Sequence, residues 1–268
     1  MKVNFFCLAS GSSGNCYYLG TDEYGILIDA GIGIRMIRKR LGEHGVSMDK
    51  LRAVFVTHDH ADHIKSVGVL GEKCFLPVYS TPEVHKGINK SYCVTQKLSA
   101  ANINYVYKDQ PLYINDFMIT AFDVPHDSTD NVGYSIQIED KNFCFLTDVG
   151  HITPLIRQYA KKANYLILEA NYDAEMLKKG HYPAVLKHRI ASENGHLCND
   201  DTAAFLTEIY HPELKYVWLC HLSRDNNRPE LAYNTVESKL KENGIIVGND
   251  LQLVALRRSL PSDFHSFL

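Results

Sequence analysis

The sequence predicts an α/β protein whose sheets are covered by helices, and three stretches carry that expectation. Short apolar runs with turn-forming residues between them open the chain. A strand-rich middle follows from Val78 to Phe145. From residue 154 onward, helical stretches alternate with the strands Tyr165–Glu169, Tyr216–Cys220 and Gln252–Ala255. Strands with helices before, between and after them bury their faces most economically as a layered α/β arrangement, read as one domain over residues 1–268.

Each element has its own reason. Val3–Leu8, Cys16–Leu19 and Ile26–Asp29 read as strands, and the first two flank Ser10-Gly11-Ser12-Ser13-Gly14-Asn15, which is turn chemistry. Gly31–His44 reads as a helix with Ile34, Ile37 and Leu41 on one side and Arg35, Arg38, Lys39 and Arg40 on the other. Ala53–Thr57 fits a buried strand that delivers His58 at its C-terminal end, and a helix over Ala61–Gly71 follows. Tyr105–Tyr107, Phe117–Val124, Gly133–Ile138 and Phe143–Leu146 supply the strands of the middle.

Composition narrows the class. An apolar fraction of 45% and a charged fraction of 22% are those of an ordinary globular chain. A net charge of −3 advertises no global field for nucleic acid, although local basic residues and bound cations can supply one. Seven scattered cysteines without a Cys-x-x-Cys pair suit buried thiols in a reducing compartment. Met1–Ala9 is too short for a signal-peptide core, and no apolar run approaches a membrane span. A cytoplasmic protein without membrane contact is expected, as a monomer or a homodimer.

The chemistry concentrates in Thr57-His58-Asp59-His60-Ala61-Asp62-His63, with three imidazoles and two carboxylates in six consecutive residues. Such nitrogen and oxygen donors suit zinc, manganese or iron. Residues 58 and 60 alternate as in an extended loop, so both rings can point the same way. Asp62 and His63 open the following helix and can face a second ion. His126, Asp148 and His221 each stand just past an apolar strand, which would gather them on one rim of the sheets.

The His-x-His-x-Asp-His signature with these later residues resembles the metallo-β-lactamase superfamily, over essentially the whole chain. The resemblance implies a four-layered αββα sandwich with two mixed sheets flanked by helices. It assigns His58, His60 and His126 to one metal, Asp62, His63 and His221 to another, and Asp148 to both. Asp59 is no ligand in that pattern. Asp29 matches an aspartate that orients ligand histidines. Leu8–Asn15, Tyr182-Pro183, Leu186–Ile190, Gly195-His196-Leu197 and His221–Asn227 are further similar to the YycJ/WalJ-type branch, whose members are DNA exonuclease-like hydrolases. Where that branch has Glu-Ser-Asn-His-Asp, this chain has Glu169-Ala170-Asn171-Tyr172-Asp173.

The expected activity is therefore binuclear metal-dependent hydrolysis of a phosphodiester in DNA, with the ions held ~3.5–4 Å apart around a bridging hydroxide. Asp148 would orient that hydroxide, and His196 would contact substrate or protonate the leaving group. Ser10, Ser12, Asn15, Arg189 and Arg224 are candidates for phosphate contacts, with Lys187 and Arg228 nearby in sequence. The same site could serve a cyclic nucleotide, RNA, a lactone or a thioester. A redox di-iron protein is disfavoured, because that branch carries Glu where this chain has His60. A non-catalytic binding module is disfavoured by the complete ligand set.

Overall fold

The computed structural model describes residues 1–268, which separate into two compact units. Unit 1 comprises Met1–Ile114, Ser128–Asn131 and Arg257–Leu268, and unit 2 comprises Asn115–Asp127 and Val132–Leu256. Unit 1 runs through β1 (Val3–Ala9), β2 (Cys16–Gly20), β3 (Gly25–Ile28), α1 (Ile34–Glu43), β4 (Leu51–Phe55), α2 (Ala61–Ile64), α3 (Val67–Cys74), β5 (Val78–Ser80), α4 (Pro82–Lys90), β6 (Ile103–Tyr105) and β7 (Pro111–Ile114). Unit 2 contains β8 (Phe117–Asp123), β9 (Val132–Ile138), β10 (Lys141–Leu146), α5 (Pro154–Ala160), β11 (Tyr165–Glu169), α6 (Ala174–Lys179), α7 (Ala184–Ile190), α8 (Asn199–Ile209), β12 (Tyr216–Cys220), α9 (Pro229–Glu242) and β13 (Gln252–Ala255). The chain then returns to unit 1 with β14 (His265–Phe267).

Each unit carries a mixed sheet. In unit 1 the order is β14-β1-β2-β3-β4-β5-β6, antiparallel from β14 to β3 and parallel from β3 to β6. In unit 2 the strands lie in the order β13-β12-β11-β10-β9-β8, parallel from β13 to β10 and antiparallel from β10 to β8. Every residue of β1, β2, β3 and β11 is buried, which explains their near-continuous apolar sequences. Each unit has its own apolar core, one around Phe6, Tyr18, Leu27, Ile37 and Val54, the other around Phe122, Leu146, Leu168, Phe205 and Leu219. The α/β class with two mixed sheets and flanking helices is thus present.

Expected boundaries mostly hold to within one or two residues, with three differences of physical interest. The helix expected over Ala61–Gly71 is broken into α2 and α3 at Ser66. There the Ser66 amide donates to Ala30 O at 2.9 Å and so leaves the helical ladder, while its hydroxyl ties the same point to Ile32 O at 2.6 Å. The strand expected at Tyr105–Tyr107 lies earlier, as β6, where it pairs with β5. β14 has no strong apolar pattern and owes its place to three residues paired with β1. No helix is long and apolar enough to cross a membrane.

Candidate metal-ligand clusters

Unit 1 builds its cluster on the C-terminal ends of two parallel neighbours, β3 and β4, whose last residues Ile28 and Phe55 are in register. Asp29 follows β3 directly and adopts a left-handed backbone, φ 59°, with its amide donating to Phe55 O at 2.7 Å. That turn aims the carboxylate at the residues leaving β4. Oδ1 accepts from the Thr57 amide at 2.8 Å, and Oδ2 accepts from the Thr57 hydroxyl at 3.0 Å and from His63 Nδ1 at 2.7 Å. Asp29 and His63 are fully buried.

These bonds fix the ring tautomers. A carboxylate only accepts, so His63 carries its proton on Nδ1 and its lone pair on Nε2. Thr57 commits its one hydroxyl proton to Asp29, so it accepts from His58 Nδ1, 3.0 Å away, and His58 likewise keeps its lone pair on Nε2. The His58 ring centroid lies 4.1 Å from that of His63 and 4.6 Å from that of His60. Asp62 completes the group, with Oδ2 3.6 Å from His63 Nε2.

The Ser10–Asn15 loop braces this arrangement. Asn15 donates its amide to Asp62 O at 2.7 Å and accepts from the Gly31 amide at 2.8 Å, and its side-chain amide lies 2.9 Å from His63 Nε2. Gly31 is required here, because a Cβ would stand 1.6 Å from Asp62 O. Ser10 is buried with its hydroxyl 2.9 Å from the Tyr17 hydroxyl, whereas Ser12 is exposed at the tip. Asp59 accepts from both the amide and the hydroxyl of Thr129.

Unit 2 repeats the principle on β10, β11 and β12, three parallel neighbours in register at Leu146, Leu168 and Leu219. Asp148, Glu169 and His221 stand at those three C-terminal ends, and His221 also has a left-handed backbone, φ 52°. Glu169 is fully buried and central. Oε1 accepts from His196 Nδ1 at 2.7 Å and from His221 Nδ1 at 3.0 Å, while Oε2 accepts from the amides of Val149 at 2.8 Å and Leu197 at 3.2 Å. Burial alone would raise the Glu169 pKa, but the charge of His196 and the bonds from both histidines outweigh it and hold the group below the carboxylate norm. Burial would likewise lower His196, and the Glu169 carboxylate more than reverses it, raising that imidazole.

Asp148, Glu169, His196 and His221 offer ligand atoms all within 4.8 Å of one another. Asn171 donates to His221 O at 2.8 Å and holds the loop that carries it. His126 follows β8 past Pro125 and donates Nδ1–H to Gly195 O at 2.9 Å, leaving its Nε2 3.7 Å from Asp148 Oδ1. Arg189 forms an ion pair with Asp127, the residue after His126. Arg224 is exposed. Tyr172, where the branch pattern has His, is buried against Leu177 and Cys198 with Tyr182 and Ile190 beside them.

Unit 1 therefore holds Ser10, Ser12, Asn15, Asp29, His58, His60, Asp62 and His63, and unit 2 holds His126, Asp148, Arg189, His196, His221 and Arg224. Glu169, Thr57 and Asn171 are additional. Glu169 bore a signal, since it ends an apolar strand as Asp148 and His221 follow theirs. The donor chemistry fits divalent ions in both units. Imidazole nitrogens and carboxylate oxygens converge, and buried carboxylates hold the far ring nitrogens, Asp29 for His63 and Glu169 for His196 and His221.

Known proteins extend this reading. A family model described as Beta-lactamase superfamily domain matches residues 24–221. The chain is 34% identical over 261 residues to "Exodeoxyribonuclease YycJ" of Bacillus anthracis, covering 94% of this chain and 95% of that one. It is also 34% identical over 246 residues to "Exodeoxyribonuclease WalJ" of Streptococcus pneumoniae, covering 92% and 91%. Among solved structures, the metallo-β-lactamase fold protein YhfI of Bacillus subtilis superposes over 100% of both chains with a TM-score of 0.72 at 17% identity. This chain belongs to the metallo-β-lactamase superfamily and is a metal-dependent hydrolase.

Proposed function

We propose that the two units work as one hydrolase domain with a binuclear metal centre, and that the enzyme removes nucleotides from an end of DNA. The family match over residues 24–221, which draws on both units, supports the single domain. The assignment follows the superfamily pattern: His58, His60 and His126 to one ion, Asp62, His63 and His221 to the other, and Asp148 to both. The observation that carries it is the paired device of Asp29 on His63 and Glu169 on His196 and His221, an investment in oriented imidazoles that a structural polar cluster does not require. The exodeoxyribonuclease names of the relatives support DNA over a lactone, a thioester or a cyclic nucleotide.

Bound divalent ions, Zn²⁺ or Mn²⁺ by donor type, would lower the pKa of water toward neutrality and polarise the phosphoryl group. The chain's own residues do the rest. Asp29 and Glu169 hold the ring tautomers that expose Nε2, so ligand geometry is set before ions arrive. Asp148 Oδ1, 3.1 Å from His221 Nδ1, is positioned by that ring and orients the attacking water. His196, whose pKa the Glu169 carboxylate raises against the effect of burial, would supply a proton to the leaving oxygen. Arg224 and Ser12, both exposed, and Arg189 beside Asp127 would meet phosphate oxygens, whereas Ser10 and Asn15 are buried and hold their loop in shape. None of the seven cysteines forms a disulfide, which supports action in the reducing cytoplasm.

The test is cleavage of duplexes labelled at the 5′ or the 3′ end by protein loaded with Mn²⁺ or Zn²⁺, beside a variant carrying Asp148→Ala and His63→Ala. Metal-dependent nucleotide release that vanishes in the variant is the expected result. Intact DNA together with turnover of a lactone or a simple phosphodiester would overturn the reading.

A further inference from the structure

We propose that residues 174–190, the helices α6 and α7 with the loop between them, form the surface that grips the phosphate backbone of DNA beside the site; this rests on the DNA-hydrolysis reading above. The segment holds four Lys or Arg residues and one Glu, a net charge of +3 in a chain whose net charge is −3. That local reversal of sign is the first observation.

The second is that α7 has no buried residue, and α6 buries only Leu177. Val185 is 84% exposed. A helix of seven residues is too short to persist on propensity alone, and this one gains almost nothing from the core of unit 2. It is held in place by other means. Leu177, Tyr182 and Ile190 pack on the small Tyr172–Cys198 cluster, apart from the main core. The Tyr182 hydroxyl donates to Asp225 at 2.8 Å, and Lys187 Nζ donates to Lys178 O at 2.7 Å, joining the two helices. The chain thus fixes a cationic, solvent-facing segment by contacts at its base.

The third is position. The C-terminal end of α7 touches the ligand loops of its own unit. Ile190 O accepts from the His196 amide at 2.9 Å, Arg189 pairs with Asp127 next to His126, and Gly195 O accepts from His126 Nδ1 at 2.9 Å. A polyanion drawn along α6 and α7 is delivered to His126 and His196. Lysine ammonium groups on an exposed segment suit sequence-independent contacts with phosphates, which an enzyme acting on any DNA end needs.

The test compares two charge reversals in the metal-loaded enzyme: Lys178→Glu with Lys179→Glu on α6, and Lys239→Glu with Lys241→Glu on α9. All four side chains are exposed, and unfolding midpoints check that both variants stay folded. With DNA as substrate, the α6 variant should raise KM by roughly tenfold or more with kcat held, and should lower the slope of log KM against log salt by about 2. The α9 variant should stay within about twofold of the unaltered enzyme. Bis(4-nitrophenyl) phosphate, too small to span the segment, should be hydrolysed equally by all three. Equal KM and salt slope for the two variants would overturn the inference, as would tight binding of the segment to anionic lipid vesicles without effect on DNA turnover. Failure of the unaltered enzyme to cleave DNA while it hydrolyses the nitrophenyl ester would instead remove the DNA reading, and the inference with it.

Discussion

His196 donates Nδ1–H to Glu169 Oε1 across 2.7 Å, and the same oxygen receives His221 Nδ1 at 3.0 Å. One buried carboxylate thereby fixes two imidazoles whose positions in the chain are 25 residues apart. Its second oxygen is committed as well, to the amides of Val149 and Leu197. All four donors need an acceptor, and a carboxylate satisfies them without offering a competing proton.

Glu169→Gln keeps the shape and removes that property. The amide nitrogen must face either the imidazoles or the two backbone N–H groups, so a buried donor loses its partner at a cost of ~1–3 kcal/mol. Orientation of His196 and His221 is lost too, and second-sphere changes of this kind weaken metal affinity or activity by ~10–100-fold. Metal titration and thermal denaturation of the variant check both. Unaltered metal affinity would show that Glu169 only supports the fold.

Asp29 makes the corresponding prediction in unit 1 and separates backbone from side chain. At φ 59°, asparagine is tolerated and alanine is strained by ~1–2 kcal/mol. Asp29→Asn should therefore fold and lose metal affinity by ~10–100-fold through His63. Asp29→Ala should lose that affinity and also unfold at lower denaturant, because the buried Thr57 amide has lost its acceptor. If both variants unfold at the same denaturant concentration, neither the left-handed turn nor the lost Thr57 acceptor is costly for alanine.

Much of this was legible in the sequence, for identifiable reasons. His58, His60, Asp62 and His63 sit together in the chain, so proximity needed no fold. Asp148 and His221 follow apolar runs, and a parallel sheet puts such ends on one edge. The hydrogen-bond partners were harder. Glu169 meets His221 across 52 residues, and a strand pattern gives the face of a residue but not which imidazole its oxygen will reach. Thr57 looked like the last residue of a strand, and its role as relay between Asp29 and His58 depends on hydroxyl geometry. The helix break at Ser66 depends on carbonyls of Ala30 and Ile32, more than thirty residues away.

Glycine placement gives a sharp contrast within three residues. A Cβ on Gly31 would overlap Asp62 O at 1.6 Å, against the backbone that carries Asp62 and His63. Gly31→Ala should cost at least ~1–3 kcal/mol and loosen metal binding, since the Asn15–Gly31 and Asn15–Asp62 bonds must shift. Gly33 meets nothing within 4 Å, and its φ of −62° suits any residue. Gly33→Ala should be neutral or stabilise by ~0.4–1 kcal/mol through the unfolded state. Urea midpoints of the two variants decide it, and equal values would mean that the Asp62 backbone yields freely.

His85 ties stability to pH outside the clusters. Burial lowers its pKa below the ordinary 6.5, while Nε2 lies 2.9 Å from Asn104 O and the Tyr105 ring stands edge-on at 5.6 Å. A depressed histidine is neutral in the folded state while the unfolded chain takes up a proton. Its contribution is thus fully present above pH 6.5 and is lost as pH falls below that value toward the folded pKa. His85→Gln removes the titration and can still donate to Asn104 O. Between about pH 7.5 and about pH 5.5 the variant should lose less stability than the unaltered protein, read as the change in urea midpoint at constant slope. A larger loss in the variant would mean that protonated His85 is accommodated in the fold, with Asn104 O accepting from the charged ring.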